Sequence, residues 1–249
     1  LDALSYSVSL NGDAIDLQKL IAGKKNVKGI VSADIALEGK GISPDTLSAD
    51  LLIELSGKSL TASPAAAPID LELKTEGGLA QGLATIKKLN AHVGEIKLQA
   101  DGEYHLTSQK VNANLMLNAP DLAANLQPLA VKDVRGNLKL DANVSGVVKQ
   151  PVFDCALQGD HLRFRDIAIG DIRLNAASEP SGVVQVSELS LKNQGSVLQG
   201  SGSVHVFQKN SLAVNSDLPL NFALTLEDIE ATDFLSTLPL QGGINGKLN

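Results

Sequence analysis

The side chains best able to ligate a metal or move a proton are four histidines and one cysteine: His92, His105, His161, His205 and Cys155. No histidine has a second His or Cys at metal-ligand spacing, so zinc-type chemistry has no framework here. A lone cysteine offers neither an internal disulfide nor a metal cluster, and its place in the run "VFDCALQG" reads as a small core residue. The run "SGSVHV" (Ser201–Val206) holds Ser and His within one alternating stretch, where the two alone make no catalytic triad. "GSVLQGSG" (Gly195–Gly202) is glycine-rich, but it joins two β patterns and does not open a helix, so it does not cradle a phosphate. In "DHLRFRD" (Asp160–Asp166) the charges alternate with Leu162 and Phe164, and Ile167 follows, which reads as a solvated strand face. GxSxG, Walker-A and HExxH patterns are all missing. The expectation is a protein that is not an enzyme and needs no metal or cofactor.

What the chain does carry is alternation with a period of two. One apolar parity runs through Val31, Ala33, Ile35 and Leu37, then Leu51, Ile53 and Leu55, then Ile69, Leu71 and Leu73, then Ile96 and Leu98, then Val111, Ala113, Leu115 and Leu117. It resumes at Leu138, Leu140, Ala142 and Val144, then Phe153, Cys155 and Leu157, then Ile172 and Leu174. Val184 and Val186 follow, with Leu189 and Leu191 in the next stretch, then Val204 and Val206, then Leu220, Phe222, Leu224 and Leu226. Polar residues fill the other parity, and Gly, Asn, Asp, Ser and Pro break the runs every roughly 8–14 residues. This spacing predicts many short antiparallel strands, on the order of 15 or more, each with one greasy and one wet face.

Three stretches depart from the pattern. "DLQKLIAG" from Asp16, "DLAANLQPLA" from Asp121 and "TDFLSTLPLQG" from Thr232 place leucines at helical spacing behind an Asp able to cap a helix N-terminus. Each follows a strand and precedes a strand opened by glycine. Gly29, Gly136 and Gly243 recur at an interval of 107 residues. "VKGIVSADIALEGKGISP" (Val27–Pro44) and "VRGNLKLDANVSGVVKQP" (Val134–Pro151) are two copies of one phrase, with Pro44 and Pro151 marking the next connection. The expected organisation is the end of one unit at 1–26, full units at 27–133 and 134–240, and the start of a third at 241–249. Repeats of this size stack into a shared surface.

The chain has 249 residues, a net charge of −7, 43% apolar residues and only 3% aromatics, so its greasy faces are almost wholly aliphatic. No basic patch argues for nucleic acid, and Lys24-Lys25 with Lys28 reads as a solvated turn. No signal peptide and no run of 18 apolar residues is present. The chain opens within an alternating stretch and stops as another unit begins, as a segment of a longer protein would. The aliphatic faces fit either the closed core of a β-sandwich or an open sheet that leaves an apolar trough.

"LSADLLIELSGKSL" (Leu47–Leu60), the leucine-spaced stretch from Asp121 to Gly136, and "VSELSLKNQGSVLQGSGSVHV" (Val186–Val206) resemble the AsmA/TamB superfamily of bridge-like lipid transfer proteins. The resemblance implies an all-β fold with a few short helices: an elongated, repeat-built antiparallel sheet curled into an open taco-like groove. It implies a periplasmic location, with the parent protein anchored in the inner membrane and reaching the outer membrane through parts outside this segment. It implies phospholipid acyl chains as cargo, carried for outer-membrane biogenesis along a lining of Val31, Ala33, Ile35, Leu37, Leu51, Ile53, Leu55, Leu71, Leu73, Ile96, Leu98, Val111, Leu115, Leu117, Leu138, Leu140, Val144, Phe153, Leu157, Ile172, Leu174, Val184, Val186, Val204, Val206, Phe222 and Leu224 acting together. Two alternatives stand beside it: a module that assists outer-membrane protein assembly by strand-edge pairing, and a closed structural sandwich.

Overall fold

A computed structural model describes residues 4–21, 27–43, 46–61, 67–129, 131, 133–165, 167–206, 220–230 and 243–248. Fourteen strands and two short helices lie among them. The chain divides into two compact units. One comprises residues 1–117 with 124–132, and the other 118–123 with 133–249.

The first unit holds β1 (Ser5–Asp16), α1 (Leu17–Leu20), β2 (Lys28–Lys40), β3 (Ser48–Thr61), β4 (Ile69–Ala80), β5 (Leu83–Val93), β6 (Ile96–His105) and β7 (Lys110–Ala119). After α2 (Leu122–Leu126) and a 3-10 turn (Gln127–Leu129), the second holds β8 (Val134–Val147), β9 (Gln150–Phe164), β10 (Ile167–Ser178), β11 (Val183–Asn193), β12 (Ser196–His205), β13 (Leu220–Glu230) and β14 (Gly243–Leu248). In both units the strand order is the chain order, an antiparallel meander not closed into a barrel. Short turns make this topology local. β8 and β9 are joined by Val148-Lys149 alone, so Pro151 sits inside β9 and does not mark the connection itself.

The first two expected helices form. The Asp16 carboxylate accepts the Gln18 N–H at 2.9 Å, which satisfies one of the free donors at the start of α1. In the α2 segment Asn125 and Pro128 are buried, and Asn125 Oδ1 accepts the N–H of Glu95 in the β5–β6 turn at 2.7 Å. The third expected helix, from Thr232, lies outside the described residues.

The repeated glycines have a shared structural cause. Gly29 lies across from a bulge of β3 at Ser59-Leu60 and Gly136 across from a bulge of β9 at His161-Leu162, each glycine with positive φ, +132° and +102°. A Cβ on Gly136 would stand 2.6 Å from the Asp160 carbonyl oxygen and 2.7 Å from that of His161. Only glycine fits across from such a bulge, and the bulge re-aims the side chains beyond it.

Candidate functional site

Antiparallel partners share a face, so the register reads out what each face presents. In the first unit one rung runs Leu10–Ile35–Ile53–Thr75–Leu89–Ala100 across β1 to β6. The next runs Gly12–Ala33–Leu55–Leu73–Ala91–Leu98, and beside it lies Val31–Gly57–Leu71–Val93–Ile96. Leu37 pairs Leu51 on the same face. A Cβ on Gly102, the partner of Ile86, would meet the Ala113 side chain, so Ala113 and its parity mates Val111, Leu115 and Leu117 join this face from β7.

The second unit repeats the arrangement. Leu140–Leu157–Leu174–Leu189–Gly200–Leu224 is one rung, and Ala142–Cys155–Ala176–Val186–Gly202–Phe222 is another. Leu138 lines up with Gly159 and Ile172, Val144 with Phe153, and Val184 with Val204. Val206 follows β12, its N–H donating to the Gly182 carbonyl. Thus every residue expected to line an apolar surface lies on the apolar face of its own unit or, for Val206, just beyond its strand.

Sequence reading missed part of the face. Ile86, Leu89, Ala91 and Val93 of β5 belong to it, but the alternation breaks between Ile86 and Leu89, where Lys87-Lys88 add a residue and the parity flips. β11 contains the same irregularity between Val186 and Leu189, so the two stretches read separately there are one strand. The signal was an apolar pair three residues apart on either side of two polar residues.

The opposite face is polar. Asn11–Asp34–Glu54–Lys74–Asn90–Gln99 and Lys139–Gln158–Arg173–Ser190–Gln199–Thr225 are its rungs. Lys74 Nζ meets Glu54 Oε1 at 2.6 Å, and Lys58 reaches Asp70 at 3.0 Å and Glu72 at 3.7 Å. The hydrogen bond and charge of Glu54 raise the Lys74 pKa, and those of Asp70 raise that of Lys58. These pairs are exposed and contribute little to stability. A hollow of about 750 Å³ in the first unit, lined by Asp34, Glu54, Lys74 and His92 among others, lies on this face. One of about 760 Å³ in the second unit, with Arg173, Glu188 and Lys192, does likewise. Long charged side chains stand off the pleat and leave gaps between them, and in the first unit's hollow Ala33, Leu55 and Leu73 also contribute to the lining.

The apolar face is sheltered without being sealed. Most of its side chains are half-buried, and the buried hydrophobic residues among those described are Ile69, Ala119, Ala176 and Val184. Cys155 is half-buried on this face, between Ala142 and Ala176. A closed sandwich of these strands would bury the central rungs on both sides. The histidines do not converge, and no three His, Cys, Asp or Glu side chains among the described residues could hold a metal ion.

A family model described as TamB, N-terminal domain matches residues 1–212. The chain belongs to this family. No curated protein and no solved structure matches it. The match takes in every strand from β1 to β12, and therefore most of the apolar face of both TamB-like units.

Proposed function

We propose that this TamB-like chain carries phospholipid acyl chains along its apolar faces in the periplasm, as part of a protein that serves outer-membrane biogenesis. The observation that supports this reading is the combination of largely aliphatic rungs across six strands, broken in the first unit by Thr75 and Gly12, with side chains left half-exposed. Monomeric soluble proteins rarely leave so much contiguous apolar surface without a use for it. Aliphatic walls with few aromatics suit acyl chains, which need volume and no directional contact. At roughly 0.8 kcal/mol per methylene removed from water, a 16-carbon chain gains on the order of 10 kcal/mol from such a surface. The experiment is site-specific photo-crosslinking at Ile35 and Leu140, with Glu54 and Lys139 on the opposite face as controls. Lipid adducts at the first pair alone support acyl carriage, and their absence there rejects it.

A further inference from the structure

The chain has two tyrosines and no tryptophan, and both tyrosines stand on one rung of the first unit. That rung runs Tyr6–Gly39–Ala49–Leu79–Ala84–Tyr104 across β1 to β6. It has the parity of Leu10, Ile35 and Ile53, so it belongs to the apolar face. The side chains agree: a Cβ on Gly39 would run into the Tyr6 ring, which therefore lies over Gly39 on the apolar side of the sheet. This is the last full rung at its end of the ladder, because β2 ends at Lys40, β3 begins at Ser48, β4 ends at Ala80 and β5 begins at Leu83. Both tyrosines are half-buried. Gly39, Ala49 and Ala84 make the floor between them shallow, and five strand spacings set the two tyrosines about 24 Å apart along the sheet.

The opposite end of the same face is covered. Ile69 opens β4 and is 7% exposed, whereas Leu71 and Leu73, of the same parity, are half-buried. The Asn125 side-chain oxygen and the Ile69 side chain meet where a Cβ on Gly94 would sit, and the 3-10 turn after α2 lies against β3. The face therefore has one dry end under α2 and one end edged by phenol rings. Leu79 and Leu71 stand eight residues apart on β4, about 26 Å of strand. The chains of one leaflet fill half of a bilayer core, about 15 Å, so an acyl chain fits between the tyrosine rung and the covered end. A tyrosine joins an apolar ring to a hydroxyl that seeks a polar partner, and it settles where apolar surface gives way to water. The second unit has no tyrosine, and its matching rung, Ser178–Val184–Val204–Leu220, holds Val184 at 7% exposure. The phenol edge thus belongs to the first unit.

We propose that Tyr6 and Tyr104 form the polar lip of the first unit's apolar face: their hydroxyls donate to the ester or phosphate oxygens of bound phospholipids, whose acyl chains run along the strands toward Ile69. The proposal rests on the acyl-carrying reading above and adds a direction to it. The test uses the 249-residue chain loaded with dioleoyl phosphatidylglycerol, with the photo-crosslinker benzoylphenylalanine in place of Leu79 or, separately, of Leu71. Mass spectrometry of the adducts maps which part of the lipid each site captures. Leu79 is expected to capture the glycerol and the upper chain carbons, and Leu71 the lower half of the acyl chain. The same distribution from both sites, the reverse order, or adducts from one site only overturns the lip and leaves acyl carriage standing. Adducts from neither site overturn acyl carriage itself. The hydroxyls are tested apart from the rings with the double variant Y6F/Y104F. At limiting lipid, native mass spectrometry is expected to find about fivefold less phosphatidylglycerol retained than by the wild type, as loss of one hydrogen bond per lipid dictates. Hexadecane, which has no polar end, should be retained unchanged. Equal retention of phosphatidylglycerol by the two proteins overturns the hydroxyl contact, and so does an equal drop for hexadecane, which would make the tyrosines a matter of packing alone.

Discussion

The main-chain N–H of Ser59 donates to Asp70 Oδ1 at 3.0 Å, tying a bulge near the end of β3 to the start of β4. Ser59 has a φ of +54°. The second unit repeats the device: His161, also at +54°, donates its N–H to Asp171 Oδ1 at 2.8 Å. Both bulges lie across from the repeated glycines, Ser59 beside Lys58, the partner of Ile30, and His161 beside Asp160, the partner of Asn137.

The Ser59 N–H, and after it Lys58, hold the Asp70 carboxyl below the ordinary aspartate range. A depressed carboxyl adds stability that is present above its unfolded-state pKa and lost as pH falls through the folded value. Acid should therefore loosen the β3–β4 end at pH below the usual aspartate titration, not near neutrality. Replacing Lys58 by Met should return only part of the shift, because the larger cause is the backbone donor. Carbon-13 NMR titration of Asp70 reads both quantities, and a fully normal titration in K58M would refute the assignment.

Leu140→Glu places a carboxylate in the rung with Leu157 and Leu174. Because the face is half-open, the charge keeps access to water, and the expected loss of stability is about 1–3 kcal/mol with the fold retained. Lipid retention should fall sharply. Lys139→Glu, one residue away on the polar face, should leave retention unchanged. Urea unfolding followed by circular dichroism separates the outcomes: collapse of L140E would show that the rung is closed core.

Gly136→Ala forces a Cβ against two carbonyl oxygens at a φ of +102° and should destabilise the chain by about 1–3 kcal/mol. Gly195→Ala, where an added Cβ meets nothing within 4 Å, is the control and should change the midpoint of unfolding very little. Equal effects in the two variants would remove the bulge as the reason for the repeated glycine.

Ser178 is buried and serves two backbone groups of β9. Its Oγ accepts the Phe153 N–H at 2.8 Å and donates to the Pro151 carbonyl at 3.3 Å. Ser178→Ala leaves both without that partner and should cost about 1–3 kcal/mol. Hydrogen exchange at Phe153 should accelerate with it; protection equal to wild type would show that another group takes over.

The strands were legible because alternation survives in most of them: Val31 to Leu37 and Leu138 to Val144 read straight through. β5 was not, since Lys87-Lys88 shift the parity mid-strand and a period-two pattern then cancels over its length. The pairing of Arg135 with Arg163 across β8 and β9 was equally hidden. In the sequence Arg135 lies far from Arg163, and "DHLRFRD" alone reads as a solvated strand face.

Sequence by itself determined the all-β class with its many short strands, the helical turns after Asp16 and Asp121, the recurring glycines and the apolar parity of most strands, because each is written in the pattern of near neighbours in the chain. The tertiary structure decided which strands stand side by side, and hence that Leu55 faces Leu73 while Glu54 and Lys74 pair behind them. It also decided that the apolar face stays half-open. Those facts follow from register, and register is set by bulges and turn lengths whose effect appears only when strands are laid against one another.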